Sequence, residues 1–207
     1  MRPRVTYNAP VVLTFALAAV VVQLLTGPTT GQIDPSSLKS WFVAYPWLVG
    51  TRSYVGLFTH VLGHASWDHL IGNFMLILLV GPMLEERYGS VRLLAMIVVT
   101  ALATGLVNML FTNHVVLGAS GVAFMMILLG STTNNRRGEV PLTFLAVAAL
   151  YLGGEIYREF YAHDQISHLT HLVGGVVGAA FGFASASTAR AKRRVAGAML
   201  ARTGHVP

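Results

Sequence analysis

The chain has 207 residues, of which 54% are hydrophobic and 11% charged, with no cysteine and a formal charge of +6. A soluble domain carries about 25% charged residues, so this chain has too few to cover a water-facing surface and fits membrane immersion. The absence of cysteine excludes disulfides, thiolate nucleophiles and Cys-ligated metals. Its basic residues cluster at the ends of apolar segments without interleaved aromatics, which argues against nucleic-acid binding.

Apolar segments fall at roughly 9–26, 68–84, 92–111, 117–132, 140–156 and 169–188. A helix crossing the hydrocarbon layer needs about 20 residues, and the shorter segments suit interior helices shielded by neighbours. The pattern predicts an all-α membrane protein: a six-transmembrane-helix bundle forming a single domain over 1–207, with a core at 9–188 and a basic tail at 189–207. The first segment is read as a span, because Gln23-Leu24-Leu25-Thr26 lacks a small-x-small cleavage site. A long connection, roughly 27–67, follows it. Its Trp41, Phe42, Tyr45, Trp47, Tyr54 and Phe58 suit the headgroup level, so this loop is expected to lie partly in the interface.

Charge placement orients the bundle. Six spans with the N-terminus inside put Arg2, Arg4, Arg87, Arg92, Arg136, Arg137, Arg190, Lys192, Arg193, Arg194 and Arg202 in the cytoplasm, against Lys39, Arg52 and Arg158 outside. That asymmetry satisfies the positive-inside rule, and the basic tail suits anionic headgroups of the inner leaflet. Both termini are expected in the cytoplasm.

Polar groups inside spans are costly and face the bundle interior or a watery cavity. Here they gather at the outer ends of separate segments: His60, His64, His69 and Asn73 at span two, Ser120 at span four, His171 at span six. His69 and Asn73, four apart, share a helical face. They read either as donors to an oxyanion or as polar glue between helices. Ser120, within Gly118-Ala119-Ser120-Gly121, opens a helix whose positive end and unpaired N–H groups favour a developing anion; the plainer reading is a helix cap. His171 begins a seam with Gly174 and Gly178 that admits a close partner helix. If that partner is span four, His171 reaches Ser120 as base, then acid. His168, one turn earlier, is the competing imidazole, and the seam favours His171. His60 and His64 lack the glutamate of an HExxH metal motif; Asp68 or His168 would have to complete a zinc site. Neither metal nor cofactor is predicted.

Taken in order, His69-x-x-x-Asn73, the Glu85/Arg87/Gly89 turn, Gly118-Ala119-Ser120-Gly121 and His171-x-x-Gly174-x-x-x-Gly178 resemble the rhomboid family of intramembrane serine proteases, as does the approach from Phe58 to His64. The resemblance covers about residues 55–188. It implies a Ser120–His171 dyad without an acidic third member, and an oxyanion hole from the Ser120 backbone N–H, His69 and Asn73. It further implies transmembrane protein substrates entering near spans two and five, with the connection at 157–167 as a cap. The site would open to the extracytoplasmic face of the cell membrane. Two features depart from the family pattern: Val55-Gly56 replaces a Trp-Arg pair in the outer loop, and Phe124 replaces a tyrosine that stacks on the base. A phenyl ring still stacks on His171. The expected partners are membrane substrates and the lipid bilayer, with no soluble partner. The competing functions are an inactive rhomboid-like protein that binds membrane clients and a small transporter; the latter would carry polarity along the whole bundle axis.

Overall fold

The computed structural model describes residues 6–29, 32–48, 50–132, 140–161 and 168–203, with backbone alone at 151–152, 154–161 and 186–203. The described residues form helices joined by short irregular connections, with one isolated antiparallel bridge, Ala44 to Val116. The apolar segments become α1 (Pro10–Thr26), α3 (Trp67–Tyr88), α4 (Ser90–Phe111), α5 (Ser120–Ser131), α6 (Leu142–Tyr161) and α7 (His168–Thr203). Between α1 and α3 the connection folds into a 3-10 turn (Leu38–Phe42), the short helix α2 (Thr51–Thr59) and a second 3-10 turn (His60–Leu62).

Local chemistry sets the helix ends. Pro10 opens α1, where its missing N–H has no intrahelical role. Ser66 caps α3 by accepting the His69 N–H at 3.1 Å. Gly89, at φ +81°, ends α3 and begins α4 in a corner that a side chain would strain. Glu85 sits at that corner. Its carboxylate accepts the Val11 and Val12 N–H groups, each at 3.0 Å, and the Ser90 hydroxyl at 2.7 Å. One negative side chain thus caps the positive end of α1 and ties it to the α3–α4 corner.

The centre of the bundle is α5, where Gly121–Met126, Leu128 and Leu129 are all buried, as an apolar-all-round helix requires. Val12, Phe74, Ile77, Leu93 and Met96 pack around it from α1, α3 and α4. On its other side lies α7, at backbone distance. A Cβ on Gly174 would overlap the Gly121 carbonyl, one on Gly178 the Met125 carbonyl, and one on Gly182 the Thr132 hydroxyl. The seam expected at Gly174 and Gly178 therefore runs a turn further, to Gly182.

Three helices among the described residues are long and apolar enough to cross a membrane: Trp67–Tyr88, Ser90–Phe111 and His168–Ser185. α1 and α5 are apolar but shorter. Leu24, Leu25, Leu79, Met83, Val91 and Leu110 are exposed, an outer surface suited to lipid rather than water. The protein is a multi-pass membrane protein.

The connection from α1 to α3 is tied down by close backbone contacts. A Cβ at Gly56 would overlap the Val43 carbonyl, and one at Gly63 the Phe42 carbonyl. Ala44 and Val116 exchange N–H···O bonds of 2.8 and 3.0 Å. The Arg52 guanidinium lies 5.3 Å from the Trp41 ring centroid and donates to the Pro35 carbonyl. The Val55-Gly56 departure thus has a structural counterpart: glycine lets the loop backbone rest directly on α2.

The helix of the sixth apolar segment continues through the basic tail to Thr203, because Ala, Arg, Lys, Leu and Met sustain a helix after hydropathy has fallen. The 27–67 connection contains a helix of its own, α2. The cap expected at 157–167 lies largely outside the described residues, as do Arg136 and Arg137.

Gly178→Val forces α7 away from the Met125 carbonyl. The thermal midpoint in detergent is expected to fall by the equivalent of about 3 kcal/mol, the upper end of ordinary overpacking costs; an unchanged midpoint would mean that α7 does not press on α5 there.

Candidate active site

Ser120 is the first residue of α5, and Ala119, not the serine, occupies the cap position, with no side-chain capping bond. The capping reading of Ser120 is therefore not what the helix uses. Gly118, at φ +134°, turns the chain into the helix. The serine is half-buried, and the first-turn N–H groups at its position have no intrahelical acceptors. The twelve residues of α5 rise about 18 Å.

The glycine seam brings α7 to this end of α5. His171 is one turn before Gly174, whose Cα lies against Gly121, the residue after the serine. The His171 ring stacks on Phe124 with centroids 4.7 Å apart and planes 8° from parallel. Since Phe124 is one turn after Ser120, the stack sets the imidazole beside the first turn of α5. His168 is more deeply buried and meets His171 edge-on at 6.2 Å.

The opposite wall comes from α3. A Cβ on Gly118 would lie 2.7 Å from His69 Cε1 and 3.6 Å from Asn73 Nδ2, so both side chains face the turn before the serine. Asn73 is 8% exposed, and its Nδ2 has no hydrogen-bond partner among the described residues. A buried amide donor left unengaged is costly, and here it sits beside the serine turn. Gly121 completes the packing: a Cβ there would stand 2.9 Å from Thr104 Cγ2 and 3.4 Å from the Thr170 carbonyl.

His60 and His64 are used structurally. His60 reaches the Gly56 carbonyl through Nδ1 at 3.0 Å and the Thr104 hydroxyl through Nε2 at 3.2 Å. His64 Nε2 accepts the Ala119 N–H at 3.2 Å. Among the described residues no group of three or more His, Asp or Glu is arranged to hold a metal. Sequence reasoning missed Thr104 and Asn108; the latter donates to the Ala44 and His114 carbonyls at 3.3 and 3.2 Å, fixing the 112–116 turn. Their spacing of four along α4 was the available signal.

A family model described as the rhomboid domain matches residues 51–188. The chain belongs to the rhomboid family. Rhomboid-related protein 1 of Caenorhabditis elegans is 35% identical over 135 residues, covering 58% of this chain and 36% of that protein. Rhomboid protease GlpG of Haemophilus influenzae is 25% identical over 128 residues, covering 60% of this chain and 66% of the relative. Rhomboid protease GlpG of Yersinia pestis is 24% identical over 179 residues, covering 83% and 60% respectively. The chain thus spans between 36% and 66% of the length of these curated relatives. The rhomboid match contains all four segments that build the site, from His60 to Gly178.

Burial pushes His60 down from 6.5 to about 4. The unfolded chain therefore binds more protons than the folded one between these values. The stabilisation is complete above pH 6.5 and is lost as pH falls toward 4. The His60 contribution to stability in detergent is expected to fall by about 3 kcal/mol from pH 7 to pH 4, read as the difference in slope between the parent and His60→Gln. Parallel profiles in the two proteins would mean that His60 is not held neutral.

Proposed function

We propose that this rhomboid-family chain is an intramembrane serine protease acting through a Ser120–His171 dyad. One observation carries the reading: the Phe124–His171 stack brings an imidazole to the first turn of the helix that Ser120 opens, opposite the unengaged Asn73 amide. His171 takes the hydroxyl proton as Ser120 attacks the peptide carbonyl, then returns it to the leaving amine. Water, deprotonated by the same imidazole, cleaves the acyl-enzyme and regenerates the serine. The Ser120 N–H, His69 and Asn73 hold the oxyanion at each tetrahedral stage. Gly118 and Gly121 leave room for the substrate backbone and the neighbouring helices, while Gly174 and Gly178 set the distance of the base.

The substrate class follows from where this chemistry sits. A site within a bundle that faces lipid meets other transmembrane proteins. A helical peptide bond is shielded by its own hydrogen bond, so the scissile region must become extended, which small or helix-breaking residues favour. The reading includes six crossings, cytoplasmic termini and a site opening to the extracytoplasmic side of the cell membrane. The relatives named as proteases support the reaction type.

Cleavage of a reporter transmembrane substrate in liposomes tests the mechanism. Ser120→Ala and His171→Ala are expected to abolish it, and chelators to leave it unchanged. Asn73→Ala is expected to lower kcat by about 10²–10³, as loss of one oxyanion donor does. Cleavage retained in Ser120→Ala would sink the dyad, and chelator sensitivity would restore a metal reading.

A further inference from the structure

His64 is fully buried, yet it lies in the turn before α3 rather than on a helix face that packing would fill. Its ring is wedged between His69, at 5.1 Å and edge-on, and Phe74 at 5.8 Å. Nε2 accepts the Ala119 N–H at 3.2 Å, and Nδ1 faces the Leu62 carbonyl at 3.3 Å. One assignment satisfies both contacts: a neutral ring with its proton on Nδ1, donated to Leu62, and a free lone pair on Nε2. Burial, with the His69 and Lys39 charges, holds His64 down at about 4, so that lone pair persists at neutral pH.

The backbone of His64 is fixed as well. Lys39, 5% exposed, donates to the His64 carbonyl and the Thr29 hydroxyl, each at 3.0 Å, and to the Gly27 carbonyl. Its three N–H bonds have three acceptors. Next to Ala119, the Gly118 N–H donates to the His60 carbonyl at 2.9 Å. Two consecutive N–H groups before the serine are thus held by one segment, residues 60–64. The same segment leads into α3 with His69 and Asn73.

Gly118 explains why a restraint is needed. With no Cβ, it leaves the Gly118–Ala119 peptide unit cheap to rotate, and that rotation alters the direction of Ser120 and of its N–H. The geometry points to His64 as a positioning residue that, by accepting the Ala119 N–H, locks the turn before Ser120 in the register that faces His69 and Asn73. The role rests on the protease reading above. His64 touches neither substrate nor nucleophile in it and acts through the backbone.

Liposome kinetics of His64→Ala and His64→Gln test this, with thermal midpoints measured alongside. Glutamine places an acceptor oxygen near the position of Nε2; alanine does not. His64→Ala is expected to lower kcat about tenfold, the rate equivalent of one hydrogen bond, with KM within about twofold of the parent. His64→Gln is expected to recover most of the loss. An undiminished rate in His64→Ala, a change confined to KM, or no recovery in a stably folded His64→Gln would overturn the role. Should both variants unfold, the parent protein still decides: 15N NMR of histidine-labelled protein is expected to place the His64 proton on Nδ1, and a proton on Nε2 would overturn it. A parent that cleaves no membrane substrate would instead defeat the protease reading while leaving the tautomer intact.

Discussion

Everything at the site depends on how closely α7 approaches α5. Gly174, Gly178 and Gly182 replace side-chain interdigitation with backbone contact, as membrane helices do where lipid offers no hydrophobic drive to associate. The contact fixes rotation as well as distance. Glycines four apart define a single line along α7, and His171 lies at the head of that line, so seating the glycines on α5 aims the imidazole at the end where Ser120 stands. The Phe124 ring then limits its tilt.

The second constraint is the cost of polarity in an apolar interior. The bundle meets it by concentrating polar groups at one end and giving most of them local partners. His60 donates to the Gly56 carbonyl and accepts from the Thr104 hydroxyl, Asn108 donates to the Ala44 and His114 carbonyls, and Thr100 returns its hydroxyl to a carbonyl of its own helix. Among the described residues two buried amides break that pattern, Gln23 in α1 and Asn73 in α3, and of the two it is Asn73 that faces the turn before Ser120.

Much of this was legible in the residues. Apolar runs located α1, α3, α4, α5, α6 and α7 to within a few residues at most ends, because a helix buried in lipid or protein shows itself by length and composition alone. The glycine line was legible because spacing by four is a helical signal. What escaped had no such signature. The nine residues of α2 mix Arg52, Ser53 and Tyr54 with apolar neighbours over too short a stretch for periodicity to decide. The continuation of α7 past 188 was hidden because hydropathy reports immersion, not helicity. Serine's capping propensity offered Ser120 as a helix cap, but the cap position falls on Ala119 and Ser120 is the first helical residue. The use of His64 was invisible because its partner is a backbone N–H 55 residues away, and every residue but proline carries one.

α1 is held at both ends by charges that oppose its dipole: the Glu85 carboxylate at Val11 and Val12, and the Lys39 ammonium at the Gly27 carbonyl. Between these anchors run 17 residues, about 25 Å of helix. The two charged side chains act as the jaws of a caliper, making length the quantity that α1 must preserve. Exchanging one apolar residue for another on its lipid face leaves the gauge intact. Deleting a single residue shortens it and turns everything beyond by about 100°, so one jaw must let go.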